Sequence, residues 1–155
     1  MISYEVSQKE LTGIINNLAG IEKTLFNPAI LEKLAVDIKK RVALRTQSGK
    51  DKKSKPFKKY SAGYTKQEGK TLVNLTRTTA GMLNSMTQKA MSNEVVKIFF
   101  SNKRARELAD IHINKGAGKG KVIRDFFGVN EKDREFAFSS YRKATAGELA
   151  KRGVS

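Results

Sequence analysis

The chain has no cysteine, which excludes disulfide stapling and thiolate metal sites and fits a reducing compartment. It has a single histidine, His112. A metal centre there would need Asp110 or distant carboxylates as its other ligands. No apolar run approaches membrane-spanning length, and the opening MISYEVSQKE lacks the basic and apolar regions of a secretory signal. The expectation is a protein made and kept soluble, with no membrane partner. Acidic residues are scarce as well, at 15 against 31 Lys and Arg, for a net charge of +16. Hydrophobic content of 39% is below, and charged content of 30% above, the usual globular range. At 155 residues this predicts one domain over 1–155, with one core and a large wetted or partner-facing surface.

The positive charge is concentrated. From Lys39 to Lys70, twelve Lys and Arg face only Asp51 and Glu68, so that stretch carries +10 of the +16. Such a field favours polyanions or an acidic protein surface. Helical and strand periodicity both disappear from Thr46 to Lys70, which predicts a basic mobile loop over 46–70. Its lysines Lys50, Lys52, Lys53, Lys55, Lys58 and Lys59 are the candidate contacts for a partner or for DNA. Phe57, Tyr60 and Tyr64 are interleaved with them, as suits stacking on single-stranded bases or docking of the loop on its own domain or a neighbouring subunit.

Elsewhere the pattern is regular. Ile2, Tyr4 and Val6 alternate with polar residues as in a short strand. Ser7 and Glu10 form a capping box ahead of a stripe of Leu11, Ile14, Ile15 and Leu18. Asn27-Pro28 opens a helix whose stripe is Ile30/Leu31, Leu34/Ala35, Ile38 and Val42. Thr79 caps a short helix through Met82, Leu83 and Met86. Thr87–Met91 and Val95–Ser101 read as a β-hairpin, the second strand apolar enough to be central and covered on both faces. A helix from Lys103 to Ile113 leads into the glycine-rich loop 114–123 and then Arg124-Asp125-Phe126-Phe127-Gly128. Phe126 and Phe127 should anchor the end of that loop in a core or an interface. Asn130 with Asp133 caps another helix, Thr145 with Glu148 predicts a break at Gly147 or a final short helix, and 150–155 reads as a frayed tail.

No catalytic constellation emerges. GAGKGK invites a phosphate-loop reading, but Lys115 stands where the first glycine should be and Val122 where Ser or Thr should follow the lysine. Asp125, Glu131, Asp133 and Glu135 lie close in sequence, but Lys132 and Arg134 interleave with them as on a surface helix. His112, beside Leu108 and Ile111, reads as a half-buried side chain bonded to backbone. No cofactor or metal is expected.

A helix carrying Ala109 and His112, then Gly116, then Arg124-x-Phe126-Phe127-Gly128, resembles the tail-completion and virion-morphogenesis family of tailed bacteriophages. Upstream, Thr79-Ala80-Gly81-Met82-Leu83-Asn84-Ser85 is similar to that family's "tG-x-L-x-x-S" segment. Pro56-Phe57-Lys58-Lys59-Tyr60 sits where the family often has Pro-Trp-x-x-Leu, with Phe57 in place of the Trp. The likeness runs in order from about Pro28 onwards. It marks Phe57, Gly81, Leu83, His112, Gly116, Arg124, Phe126, Phe127 and Gly128 as structural or interface positions. It implies an α+β subunit, with N-terminal helices on a small antiparallel sheet with a β-hairpin, long mobile loops and a C-terminal helix. It also implies a non-enzymatic virion neck protein, assembled in the host cytoplasm into a homo-oligomeric ring, expected to be a hexamer. The ring's partners are then the head connector or adaptor, the tail-tube or terminator proteins and, in the channel, the genomic DNA end. Phe126, Phe127 and the apolar side of the N-terminal helices are the expected ring interface. Charge alone supports a different function, a basic nucleic-acid-binding module, although no zinc-finger spacing or RNP motif is present.

Overall fold

Asn27 and Pro28 begin the first helix of the computed structural model, which describes residues 27–69, 80–92 and 95–153. The strand expected at Ile2–Val6, the Leu11–Leu18 stripe, the Thr79 cap and Val154-Ser155 lie outside the described residues. Helix α1 spans Pro28–Gln47, and the Asn27 side chain accepts from the Ala29 N–H at 2.9 Å. Its buried residues are Ala35, Ile38, Val42 and Thr46, spaced by three and four as an inward stripe demands. Two short helices follow, α2 at Ala62–Glu68 and α3 at Ala80–Asn84.

Strands β1 (Met86–Ala90) and β2 (Val96–Phe100) pair antiparallel, with Met86 opposite Phe100 and Ala90 opposite Val96. Helix α4 (Lys103–Asp110) is capped by Asn102 and continues as a π-helical turn over Ile111–Lys115. Helix α5 runs from Glu131 to Lys151. Together these make a small α+β fold with a two-stranded antiparallel sheet and a C-terminal helix. Helix α1 lies at its centre, packed against α5 on one side and both strands on the other. No helix among the described residues is long and apolar enough to cross a membrane.

Besides Met86, which opens β1 instead of ending the short helix before it, three elements differ from expectation. Strand β2 is not covered on both faces: Lys97 is exposed, Val95 beside it is 52% exposed, and only Phe100 is fully inward. Helix α5 does not break at Gly147. Thr145 is buried inside the continuous helix and donates back to the Tyr141 and Arg142 carbonyls at 2.9 and 3.1 Å, as a mid-helix threonine does. The stretch 46–70 contains the end of α1 and all of α2, with a closed turn between them.

The core gathers Ile38, Val42, Phe57, Met82, Leu83, Met86, Phe100, Ala105, Ala109 and Phe126. Phe126 is fully buried and meets Phe100 edge-on at 6.3 Å between ring centroids, while half-buried Phe127 lies 5.1 Å from Phe100. Phe126 therefore belongs to the subunit's own core and is corrected here as an interface candidate.

Candidate contact surface and the buried cluster beneath it

The basic stretch after α1 owes its shape to short-range hydrogen bonds. Asp51 Oδ1 accepts from the Lys53 and Lys55 N–H groups, both at 2.8 Å, an Asx-type turn. The Asp51 N–H donates to the Lys55 carbonyl at 2.8 Å, and Lys50 and Pro56 form an antiparallel bridge. Ser54 takes a left-handed φ of 63° at the tip. The Phe57 N–H then donates to the Gly49 carbonyl at 2.8 Å, and its ring enters the core.

Of the six lysines expected to make contacts, Lys50, Lys53, Lys55, Lys58 and Lys59 are exposed. Lys52 is not free. Its N–H donates to the Asp125 carbonyl at 2.8 Å and its Nζ reaches Asp125 Oδ2 at 2.6 Å. With Asn130 Nδ2 donating to Ser54 Oγ at 3.2 Å, this strut fastens the turn to the segment before α5. The outcome is a fixed cationic knuckle, with five ammonium groups facing water.

The other marked positions fall in two places. Phe57, Leu83 and Phe126 meet in the core, with Phe127 packed against it. Gly128 has a φ of 145°, and a Cβ there would touch Lys52 Cδ at 3.4 Å. A Cβ at Gly81 would meet nothing within 4 Å among the described residues, so none of them requires a glycine there. The Gly116 tract folds into a tight hairpin in which the Ala117 and Val122 backbones bond each other at 2.9 and 3.1 Å. Gly116 has φ +80°, and a Cβ there would lie 2.2 Å from the Lys121 carbonyl oxygen. Gly118, at φ +70°, has nothing within 4 Å. Gly118→Ala should therefore cost only the strain of a left-handed alanine, about 1–2 kcal/mol, and Gly116→Ala distinctly more. Equal losses in urea denaturation would contradict this geometry.

His112 lies in the π-helical turn. Its carbonyl accepts from the Arg124 N–H at 2.7 Å, but its buried Nδ1 has no hydrogen-bond partner, so the expected side-chain bond to backbone is not made through that atom. Burial, and then the Arg124 charge, hold its pKa below the ordinary 6.5. The unfolded chain takes up a proton near 6.5, whereas folded His112 stays neutral to lower pH. Its contribution to stability is thus intact above 6.5 and is lost as pH falls towards the folded value. His112→Gln should flatten the dependence of the urea midpoint on pH below about 6.5. An unchanged slope would exclude His112 as its source.

The acidic residues near α5 do not act together. Asp125 pairs with Lys52, and Glu131 lies 3.4 Å from Arg134. Asp133 bonds Arg41 Nε at 2.8 Å and Arg45 Nη1 more closely still, while completing a capping box with Asn130. Among the described residues no three His, Asp or Glu side chains are placed to hold a metal ion. Sequence reading found the Asn130–Asp133 cap but missed the arginines, because nothing local links residues so far apart in the chain. It also missed the pairing of Tyr60 with Tyr64, whose ring centroids are 4.6 Å apart. Compared with family models, curated proteins and solved structures, the chain has no significant match.

The arrangement is suited to recognition. A rigid turn presents like charges outward, and the aromatic core beneath it fixes their position.

Proposed function

We propose that the chain is a structural subunit of a bacteriophage neck, completing the end of the tail and joining it to the head connector as part of a homo-oligomeric ring. The observation that carries this reading is the ordered set of family-like motifs. Its support from packing is that Phe57, Leu83 and Phe126, drawn from three separate motifs, share one core. The subunit makes and breaks no covalent bonds. It closes a ring through one heterologous interface repeated between copies. With Phe126 enclosed, the candidates for that interface are half-buried Phe127 and exposed apolar side chains, of which Leu44 on α1 and Phe138 on α5 are the most exposed among the described residues. The cationic knuckle docks on an acidic face of the connector or tail-tube protein. A strongly cationic channel lining would hold DNA rather than let it slide, which favours protein as the partner.

Five exposed lysines on one turn favour a second reading, a nucleic-acid-binding module. That reading predicts DNA affinity falling steeply with salt, as counterions are released. Light scattering beside a DNA-shift titration at two salt concentrations separates the readings. A ring with little DNA affinity supports the neck subunit, and a monomer with salt-sensitive DNA binding supports the module.

A further inference from the structure

Two arginines are enclosed in this fold, and they are treated differently. Arg45, with its side chain 8% exposed, bonds the Asp133 carboxylate and donates to the Gly128 carbonyl at 2.6 Å. Arg124 is 5% exposed, yet no carboxylate among the described residues pairs with it. Its Nε is buried without a hydrogen-bond partner. The neighbouring acid, Asp125, is directed to Lys52 instead. What faces the Arg124 guanidinium is the Tyr60 ring, whose centroid lies 5.2 Å from Cζ. Burial pushes the Tyr60 hydroxyl above its ordinary pKa, as does Tyr64, so Tyr60 stays neutral and cannot balance the charge. His112 cannot balance it either, since an imidazole is neutral or cationic and never an anion, and burial beside Arg124 keeps this one neutral.

A buried cation without an anion is costly, and a ring face offsets only part of that cost. We propose that Arg124 is the receptor for a carboxylate brought by another protein, admitted when the Tyr60–Tyr64 pair moves aside. The guanidinium fork matches a carboxylate, and Nε is one of its unused donors. The cover is thin. No residue of α2, which carries Tyr64, is buried, so little packing holds it in place. Depth selects the source of the anion. Duplex phosphates lie on a continuous outer surface and reach exposed lysines, not a guanidinium beneath a tyrosine. An Asp or Glu side chain has an apolar stem that can pass between two rings. The charge imbalance among the described residues exists whatever the protein joins, so the inference does not rest on the neck reading.

The test is a titration of the full-length, nitrogen-15-labelled chain, followed at the Arg124 Nε–Hε resonance, which Arg124→Lys identifies. The probe is acetyl-Gly-Glu-Gly-amide, with its Gln counterpart at matched ionic strength. A saturable shift with the Glu peptide alone is expected. Arg124→Gln should weaken binding, read from backbone amide shifts, by about tenfold or more. Should the Arg124 variants not fold, Tyr60→Ala decides: it keeps Arg124 and opens the cover, and should show the shift at lower peptide concentration. No saturable shift, an equal shift with the Gln peptide, or a Tyr60→Ala chain indifferent to the carboxylate would overturn the assignment. A stronger response to inorganic phosphate or a short DNA duplex would overturn the choice of a protein carboxylate.

Discussion

Asp133→Asn is expected to remove about 3–5 kcal/mol of folding stability, measured by urea denaturation. The Asp133 side chain is 3% exposed and its closest partner, Arg45, 8%. Replacing the acid leaves the arginine enclosed and uncompensated, which is costlier than losing a surface pair. The same carboxylate caps α5 and bonds Arg41, while Arg45 continues to the Gly128 carbonyl. One substitution therefore loosens α1, the Phe126–Gly128 segment and the start of α5 together. Burial alone would raise the Asp133 pKa, but hydrogen bonds from Arg41, the Asn130 N–H and Arg45 outweigh it and hold the carboxyl below its ordinary 3.8. The stability it contributes is fully present above 3.8 and is lost as pH falls through the lower folded value. Removing both charges, as Arg45→Met with Asp133→Asn, should recover part of the loss and not all of it, because the bond to Gly128 is also gone. Asp133→Asn with no measurable loss would mean that the three-way contact does not hold the fold.

Phe126→Ala is expected to cost about 3–5 kcal/mol, the range for emptying a fully enclosed aromatic site. Its ring is 0% exposed and sits among Phe100, Phe127 and the inward stripe of α1. Neighbours held by α1 and the sheet cannot collapse fully into the space. Phe127→Ala, at a half-buried position, should cost less. Equal losses from the two would mean that the chain does not distinguish a core ring from a rim ring here.

Local signals in the sequence transferred well to the fold. Asn27-Pro28 and Asn130 with Asp133 mark helix starts through bonds made within three residues, so the helices begin where expected. The apolar run from Val95 to Phe100 marked a strand correctly, but a run of that kind does not say which face stays wet, and Lys97 and Val95 do. Gly147 looked like a break because Thr145 and Glu148 have capping spacing. The Thr145 hydroxyl was instead taken by the preceding turn. The basic stretch lacks periodicity because one aspartate side chain and a long-range strut shape it, and neither leaves a repeating pattern. The site was legible as a set of residue types and not as an arrangement. That Lys52 is a strut, that Phe126 is enclosed, and that Arg124 meets a tyrosine ring all depend on partners distant in sequence.

The claim that this chain joins a head to a tail is tested most directly by electron microscopy of particles assembled without it. A neck subunit predicts DNA-filled heads and separate tails that fail to join, restored to whole particles when the purified chain is added. Joined, intact particles in its absence would contradict the claim.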